Sequence, residues 1–211
     1  MTRLEKISSY ISDNEKVLDV GCDQALLSKI LAKRKIHSIA SDLRPNIIEN
    51  AKKNLTPLEK KYITFSVSDG VPTILNKEYT LVLSGMGTHT ILDILKNSNY
   101  RFNKIITISN NNHDILRTEM SKLNYYVLEE EIIKEKGKFY NLIVFDNVKR
   151  DYTKEEILVG INHKNKELLK EKNEYLIKKY TSILNNANNE KLIDIVNTLK
   201  AKYLNYLFYY L

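Results

Sequence analysis

The chain has little of what extracellular, membrane and metal-binding proteins depend on. Its single cysteine, Cys22, excludes an internal disulfide and fits a reducing compartment, where a small buried filler is its expected role. No apolar run is long enough to cross a membrane, and the N-terminal residues lack the hydrophobic stretch of a signal peptide. The four histidines are scattered without metal-ligand spacing, at His37, His89, His113 and His163. We therefore expect a cytoplasmic protein that binds neither a metal nor a membrane.

Acidic residues are fewer than basic ones, 26 against 33, which gives a net charge of +7 and an isoelectric point of about 9.2. A basic protein favours a polyanionic partner such as nucleic acid, although here the excess is spread along the chain. A length of 211 residues suffices for one sizeable core plus an appendage.

The most informative segment runs from residue 17 to residue 42. It reads as a buried strand, a tight turn at Gly21, a helix and a second strand that ends at Asp42. This is half of a nucleotide-binding βαβ unit, in which a glycine permits the sharp turn after the first strand. Asp42 follows Gly21 at about the distance at which an acid meets ribose hydroxyls in such units.

The turn itself departs from the dinucleotide fingerprint, because carboxylates stand where a diphosphate would approach. Asp19 and Asp23 flank Gly21, and Ala25 takes the place of a further glycine. S-Adenosylmethionine, which has a ribose, an amino group and a sulfonium cation but no phosphate, fits these acids better than NAD does. An ordinary strand–turn–helix would explain Gly21 but not the three acids Asp19, Asp23 and Asp42.

The rest of the first 150 residues alternates between strand and helix patterns. We predict strands at 16–20, 37–42, 62–66, 80–84 and 104–109, helices at 4–11, 24–33, 45–55, 88–97 and 114–123, and a hairpin of strands at 125–133 and 139–147. This order predicts an α/β fold with a seven-stranded, mostly parallel, class I (Rossmann-like) methyltransferase sheet. Residues 1–150 would form the S-adenosylmethionine-dependent domain.

Ligands of such sheets bind beyond the carboxyl ends of the strands, where five turns supply candidate residues. Asp42 is the candidate for the ribose, or else a helix cap before Pro45. Asp69, followed by Gly70, can accept the exocyclic amine of adenine, or it belongs to a simple Asp-Gly turn. Asp19 and Asp23 can hold the methionine amino group, although Asp19 would equally brace the turn.

Two further turns are candidates for binding the acceptor. Ser84-Gly85-Met86-Gly87 has two glycines, which allow a flat base to approach the backbone, and Met86 can pack against a ring or simply fill space. Asn110 and Asn111 can hydrogen-bond a base edge or form a solvated turn. We therefore assign the cofactor site to Asp19, Gly21, Asp23, Asp42, Asp69, Gly70, Ser84 and Gly85, and the catalytic acceptor site to Gly85, Met86, Asn110 and Asn111. His89 and His113 are weaker candidates near the same edge.

Residues 151–211 have a different character, with one glycine and no proline. A capping box at 153–156 starts a helix, and Ile161, Leu168 and Tyr175 recur every seven residues. After the polar break at 185–189, an a/d seam runs through Leu192, Val196, Leu199, Tyr203 and Tyr206. We predict an antiparallel helical coiled-coil hairpin, which either packs on itself or on a second copy, or grips a substrate.

Several of these motifs together resemble the bacterial tRNA (adenine-22-N1)-methyltransferase family, TrmK. They are Asp19-Val20-Gly21-Cys22-Asp23-Gln24-Ala25, Asp69-Gly70, Ser84-Gly85-Met86-Gly87 and Glu135-Lys136-Gly137-Lys138-Phe139-Tyr140. The sequence departs from the family at Gln24, where a histidine is usual, at Thr88, where a glycine is usual, and at 110–112, where a proline before asparagine is usual.

The resemblance implies a class I methyltransferase domain joined to a helical coiled coil, S-adenosylmethionine as cofactor and tRNA as partner. It implies methyl transfer to N1 of adenine 22, whose Watson–Crick edge must leave any base pair before it reacts. We expect a monomer, with basic residues such as Lys33, Arg34 and Lys35 as candidates for phosphate contacts. The alternatives are a methyltransferase for another RNA or a small molecule, and a catalytically silent cofactor-binding, oligomerising module.

Overall fold

The computed structural model describes residues 1–73, 79–161, 163–185 and 188–208, with side chains described as far as residue 201. Seven strands form one sheet in the order β3-β2-β1-β4-β5-β7-β6. They are β1 Lys16–Val20, β2 Ser38–Asp42, β3 Ile63–Val67, β4 Tyr79–Met86, β5 Lys104–Ser109, β6 Tyr126–Glu135 and β7 Lys138–Asp146.

The first five strands pair in parallel, and β7 joins antiparallel between β5 and β6. The predicted class I sheet is therefore confirmed. The strand order reverses at β1, whose neighbours are β2 and β4. Open α/β sheets bind their ligands at such a switch point, so the carboxyl ends of β1, β2 and β4 mark the site.

Helices cover both faces of this sheet. They are α1 Arg3–Ser9, α2 Leu26–Lys33, α3 Pro45–Lys53, α4 Pro57–Tyr62, α5 Thr88–Lys96, α6 His113–Lys122, α7 Lys154–Val159, α8 Lys166–Leu184 and α9 Glu190–Phe208. Helix α4 was not predicted, although its signal is present in the sequence. Thr56 and Glu59 form a capping box around Pro57, which begins the helix.

Two apolar clusters lie on opposite faces of the sheet. Val17 belongs to the cluster that packs with α1 and α2, whereas Leu18 belongs to the one that packs with α5 and α6. The alternation follows from the two-residue period of a strand. Because both faces are covered at the centre of the sheet, β1 and β5 are mostly apolar and buried, and they begin and end at the predicted residues.

The C-terminal segment differs from the prediction at its start. The capping box of Thr153 and Glu156 begins only the short helix α7, which ends at Gly160. Ile161 lies outside any helix, is 8% exposed and packs into the core of the sheet domain. The prediction that Ile161 opens a heptad series is therefore wrong, and Tyr175, seven residues after Leu168, is 51% exposed.

Helices α8 and α9 pack against each other, as the hairpin prediction requires. Leu169, Val196 and Leu199 are buried. The side chains of Tyr203 and Tyr206, predicted for the seam, lie outside the described residues, as do Asn186 and Ala187 of the polar break.

A buried ion pair attaches this C-terminal segment to the sheet domain. Arg117 of α6 donates to both carboxylate oxygens of Glu130 on β6, at 2.6 and 2.7 Å. Arg117 also donates to the Ile157 carbonyl, and Glu130 accepts the Ile161 N–H. Burial alone would raise the pKa of Glu130, but the Arg117 guanidinium holds it below its usual value.

Across the described ranges, no helix is long and apolar enough to cross a membrane. The same residues contain no group of three or more His, Cys, Asp or Glu side chains placed to hold a metal ion.

Candidate active site

The turn after β1 has an unusual backbone. Gly21 (φ 75°), Asp23 (φ 47°) and Ala25 (φ 54°) all adopt the left-handed conformation within five residues. A non-glycine residue in this region is strained by about 1–2 kcal/mol, and such strain clusters at functional sites. The N–H groups of Gly21 and Cys22 both donate to the Ser41 carbonyl, at 2.8 and 3.0 Å. The turn is thereby fixed against the end of β2.

Asp42, at the end of β2, is buried next to this turn. Its carboxylate accepts the Arg44 backbone N–H at 3.0 Å and the Arg44 Nε at 3.1 Å. Burial would raise the pKa of Asp42, but the hydrogen bonds from Arg44 and from the Asp23 backbone keep it below its ordinary value. Asp42 is therefore an ionised acceptor at neutral pH. Arg44 is itself well exposed, so it can swing away when a ligand arrives.

Asp19 is the carboxyl group most changed by its surroundings. It lies within β1, is 6% exposed, and burial raises its pKa to about 7. A buried acid with this pKa ionises readily when a cation is placed beside it. Cys22, close to both Asp19 and Asp42, is buried, and burial together with these carboxylates raises the pKa of its thiol to about 12. The thiol is thus a protonated filler rather than a nucleophile.

The third acid, Asp69, follows β3 and is exposed. It adjoins Gly70, which has φ 82°, so the Asp-Gly turn uses the freedom of glycine. The Ser68 N–H donates to the Asp42 carbonyl at 3.1 Å, which holds this turn beside the end of β2.

Strand β4 runs two residues further than predicted, through a bulge between Ser84 and Met86. Gly85 has φ 83°, and a Cβ built on it would meet no atom within 4 Å, so open space lies in front of it. Met86 turns the other way: its Cε lies 2.9 Å from the position a Gly21 Cβ would occupy. Met86 therefore covers the β1 turn, and Gly85 offers its backbone to solvent.

The two asparagines after β5 have different partners. Asn110 is exposed, and its Nδ2 donates a hydrogen bond to the Gly85 carbonyl at 2.9 Å. Its Oδ1 is therefore available to accept a hydrogen bond from a ligand. Asn111 accepts the Thr88 N–H with Oδ1 at 3.2 Å and the Thr88 hydroxyl with its carbonyl at 2.6 Å. Asn111 thus caps α5 and joins the two acceptor loops. A contact with substrate is better suited to Asn110.

Sequence reasoning missed several residues at this edge of the sheet. Thr88 and Ser109, whose hydroxyls are 2.8 Å apart, are buried between the loops, and Arg44 pairs with Asp42. The position of Thr88 directly after Gly87, at the start of a helix, was the available signal. His113 is held by the Ser109 carbonyl at 3.1 Å, and burial lowers its pKa to about 4, which suits a structural role.

The basic run 33–35 lies at the far end of α2, away from the carboxyl ends of the strands. Arg34 forms an ion pair with Asp13 at 2.6 Å and donates to the Ile11 carbonyl at 2.7 Å. Lys35 has a left-handed backbone conformation (φ 61°). Its own N–H and that of the next residue donate the two hydrogen bonds of a Schellman motif to carbonyls of the last turn of α2. These contacts give the run a structural role, and the placement does not favour phosphate contacts there.

We expect Lys35→Gly to raise the free energy of unfolding by about 0.5–1 kcal/mol, because glycine adopts this φ without steric strain. Urea denaturation of the variant measures the gain. Lys33→Gly, inside the helix, is the control and should lose a similar amount. A destabilised Lys35→Gly variant would contradict the assignment.

Residues 1–143 match the model of a family described as a methyltransferase domain, and the chain belongs to that family. Among curated relatives, the tRNA (adenine(22)-N(1))-methyltransferase of Bacillus subtilis is 27% identical over an alignment of 195 residues, which covers 86% of this chain and 80% of the relative. The structure of M. capricolum TrmK with S-adenosylhomocysteine is 27% identical, has a TM-score of 0.80 and covers 96% of this chain and 97% of that one. A Streptococcus agalactiae protein of the NADB-Rossmann superfamily is 25% identical with a TM-score of 0.84, and the match covers 96% of each chain. The resemblance to TrmK is thereby confirmed.

Proposed function

We propose that this protein transfers a methyl group from S-adenosylmethionine to N1 of adenine 22 in tRNA. The observation that carries the proposal is the acidic edge at the sheet's switch point, built from Asp19, Asp23, Asp42 and Asp69. Relatives named as tRNA methyltransferases, and a TrmK structure that holds the cofactor product, support it.

The residues at this edge fit the cofactor by charge and by hydrogen-bonding capacity. Asp42, an ionised acceptor, suits two ribose hydroxyls, and exposed Asp69 with Gly70 suits the adenine amine. Asp19 and Asp23 supply negative charge for the amino group and the sulfonium. Gly21 and Ser84 lie between these acids at the edge of the sheet, whereas Gly85 has open space in front of it and is available to the acceptor. When bound, the cofactor supplies an electrophilic methyl group.

The acceptor loops then have to orient adenine. N1 carries an in-plane lone pair, so the reaction needs positioning more than a base, and orientation can contribute about 7–11 kcal/mol. We propose that adenine lies on the open side of Gly85, while Met86 packs on the β1 turn and supports the loop from the other side. The Asn110 Oδ1 accepts the adenine amine, while Asn111 holds the loops together. The same oxygen stabilises the positive charge that develops on the base.

Gly85→Ala should lower kcat/KM for RNA at least tenfold and leave the Kd of S-adenosylmethionine within twofold. The added methyl group would fill the space in front of Gly85, while the strained φ costs about 1–2 kcal/mol of stability. A melting curve of the Gly85→Ala protein measures that stability cost separately from the loss of activity. Equal kcat/KM for Gly85→Ala and wild type would contradict the acceptor assignment.

We further propose a two-part organisation, with residues 1–150 as the methyltransferase domain and 151–211 as a coiled-coil arm that binds tRNA. A monomer suffices for this arrangement, and a tRNA substrate implies work in the cytoplasm.

The proposal is tested by incubating the protein with labelled S-adenosylmethionine and, separately, unmodified tRNA, rRNA and a pool of small molecules. Label on tRNA alone is expected. Label on rRNA or on a small molecule instead would mean that tRNA is not the substrate. A silent module would transfer no label and show no rise in melting temperature with the cofactor, where saturation at 100 times Kd should add about 2.7 kcal/mol.

A further inference from the structure

A second concave site lies beside the acceptor loops, outside the cofactor edge. It is a partly open cavity of about 760 Å³ lined by the β5–α6 loop, the β6–β7 hairpin and helices α6, α7, α8 and α9. We call it the junction cavity, because the sheet domain forms one wall and the C-terminal helices form the other. Asn110 and Asn111 belong to its lining, so it is continuous with the proposed adenine site.

The charges that line the junction cavity are mostly positive. Lys191 is paired with Asp114 at 2.8 Å, and Arg117 is paired with Glu130. Within the described part of the chain, no carboxylate forms an ion pair with the remaining lining cations, which are Lys138, Lys172 and Lys179. The cavity therefore carries uncompensated positive charge and favours an anion.

A buried hydrogen-bond donor in the same wall has no partner. Asn141 is 1% exposed, and its Oδ1 accepts the Lys172 Nζ at 2.6 Å. Its Nδ2 donates to nothing among the described residues, although buried donors are nearly always paired. An amide N–H and an ammonium group side by side can both donate hydrogen bonds to one oxyanion.

The surroundings of Lys172 disfavour its charged form, so a bound anion would stabilise the ammonium. Burial and the nearby Arg117 lower the pKa of its ammonium to about 8, against the opposing effect of Glu130. His113 and His163 face the same cluster, and burial lowers the pKa of each to about 4, so both are neutral at physiological pH.

Aromatic rings complete the lining. Phe139 and Tyr140 of the hairpin lie on one side, and Tyr175 and Tyr180 of α8 lie on the other. The Phe139 and Tyr175 ring centroids are 5.8 Å apart. Aromatic side chains within a cationic groove are typical of sites for single-stranded nucleic acid, where bases stack on the rings and cations hold the backbone.

We infer that the junction cavity binds a nucleotide of the RNA strand next to the target adenine, with Lys172 and the Asn141 amide on its phosphate. A base extruded into the Gly85 site requires the adjoining backbone to be held in place, and this cavity begins where that site ends. The inference rests on the proposed function, because it assumes an RNA substrate.

Two variants test the junction cavity directly. Lys172→Gln removes one charge, and Asn141→Asp puts a carboxylate of equal size where the phosphate would lie. Lys178→Gln, on the same helix but outside the lining, is the matched control. The readouts are RNA affinity by fluorescence anisotropy at several salt concentrations, the Kd of S-adenosylmethionine, and KM and kcat with tRNA. A melting curve for each variant verifies folding.

We expect Lys172→Gln and Asn141→Asp to weaken RNA binding about tenfold, with the cofactor Kd unchanged. For Lys172→Gln, the slope of log affinity against log salt should fall by about one, as for a lost phosphate contact. Lys178→Gln should change affinity less than threefold. Folded Lys172→Gln that binds and methylates RNA like Lys178→Gln would overturn the inference.

The outcomes separate this inference from the proposed function. If the wild type binds RNA more tightly than Lys172→Gln does but transfers no methyl group, the proposed function is refuted and the inference about the junction cavity stands. Adenosine monophosphate is the probe for a free ligand. Suppose that adenosine monophosphate binds the wild type more tightly than it binds Lys172→Gln, while the two proteins have the same affinity for RNA. The cavity then holds a free nucleotide, and the inference about RNA fails.

Discussion

Asp19→Asn is expected to weaken S-adenosylmethionine binding about 10- to 100-fold at pH 8 and, in the same protein, to raise the stability of the ligand-free state. The first effect follows from the loss of the buried negative charge that we propose faces the cofactor's cationic end, because a hydrogen bond to a charged group contributes about 1.5–3 kcal/mol. The second follows from removing a carboxyl group that burial disfavours in its ionised form.

The pH dependence has a definite sign. The folded-state pKa of Asp19 is about 7, above the ordinary 3.8, so its ionisation costs stability as pH rises from about 4 to 7. At about 1.4 kcal/mol per pKa unit, the full cost above pH 7 is on the order of 4 kcal/mol. The stability gained by Asp19→Asn should therefore grow between pH 5 and pH 8. Cofactor affinity of the wild type, relative to the variant, should rise over the same range and level off above pH 7.

Isothermal titration calorimetry and urea denaturation at pH 5, 6, 7 and 8 measure both effects. Asp93→Asn, on an exposed position of α5, is the control and should change neither. If the wild type and Asp19→Asn bind the cofactor with the same pH profile, Asp19 does not face its cationic end.

Glu130→Gln is expected to destabilise the protein by about 3–5 kcal/mol, because it leaves the Arg117 guanidinium buried without its counter-ion. The neutral amide oxygen of the variant would also accept the Ile161 N–H less strongly than the carboxylate does, so the segment at 155–165 should open first. The folded-state pKa of Glu130 is below its ordinary value, so the wild type should lose this contribution as pH falls below about 4.5.

Denaturant unfolding gives the stability change, and hydrogen exchange of residues 155–165 tests where the protein opens. The double variant Arg117→Leu with Glu130→Leu removes both charges. Its loss of stability should be smaller than the sum of the losses for Arg117→Leu alone and Glu130→Leu alone. A loss below about 1 kcal/mol for Glu130→Gln, with protection of 155–165 unchanged, would mean that the ion pair does not hold the C-terminal segment.

The sheet was predictable because its signals are local. Strands β1 and β5 are buried on both faces, read as continuous apolar runs, and end at residues that cannot continue them. The carboxyl-end rule then brings Asp42, Asp69 and the β4 and β5 loops to one edge without any knowledge of contacts. The left-handed Ala25 was not predictable, because alanine ordinarily avoids that conformation, and the turn that contains it is held by the Gly21 and Cys22 N–H groups on the distant Ser41 carbonyl.

Features that depend on contacts between residues far apart in the sequence could not be predicted. The heptad spacing of Ile161 was fortuitous: its backbone N–H bonds to Glu130, 31 residues earlier, and its side chain fills the core. The junction cavity takes residues from β7, α8, α9 and the β5–α6 loop, and its orphaned Asn141 amide has no sequence signature. Similarly, Asn111 is a helix cap for α5, which lies earlier in the chain, so no local capping pattern marks it.

The most direct measurement is site-resolved methyl transfer to tRNA transcripts. The wild-type protein is incubated with labelled S-adenosylmethionine and three unmodified transcripts: one native, one with adenine 22 changed to guanine, and one with a different unpaired adenine changed to guanine. We predict equal labelling of the first and third transcripts, none of the second, and a block to reverse transcription at position 22, where a methyl group on N1 prevents pairing. Labelling of the second transcript, or no labelling of any while the cofactor binds, would contradict methylation at N1 of adenine 22.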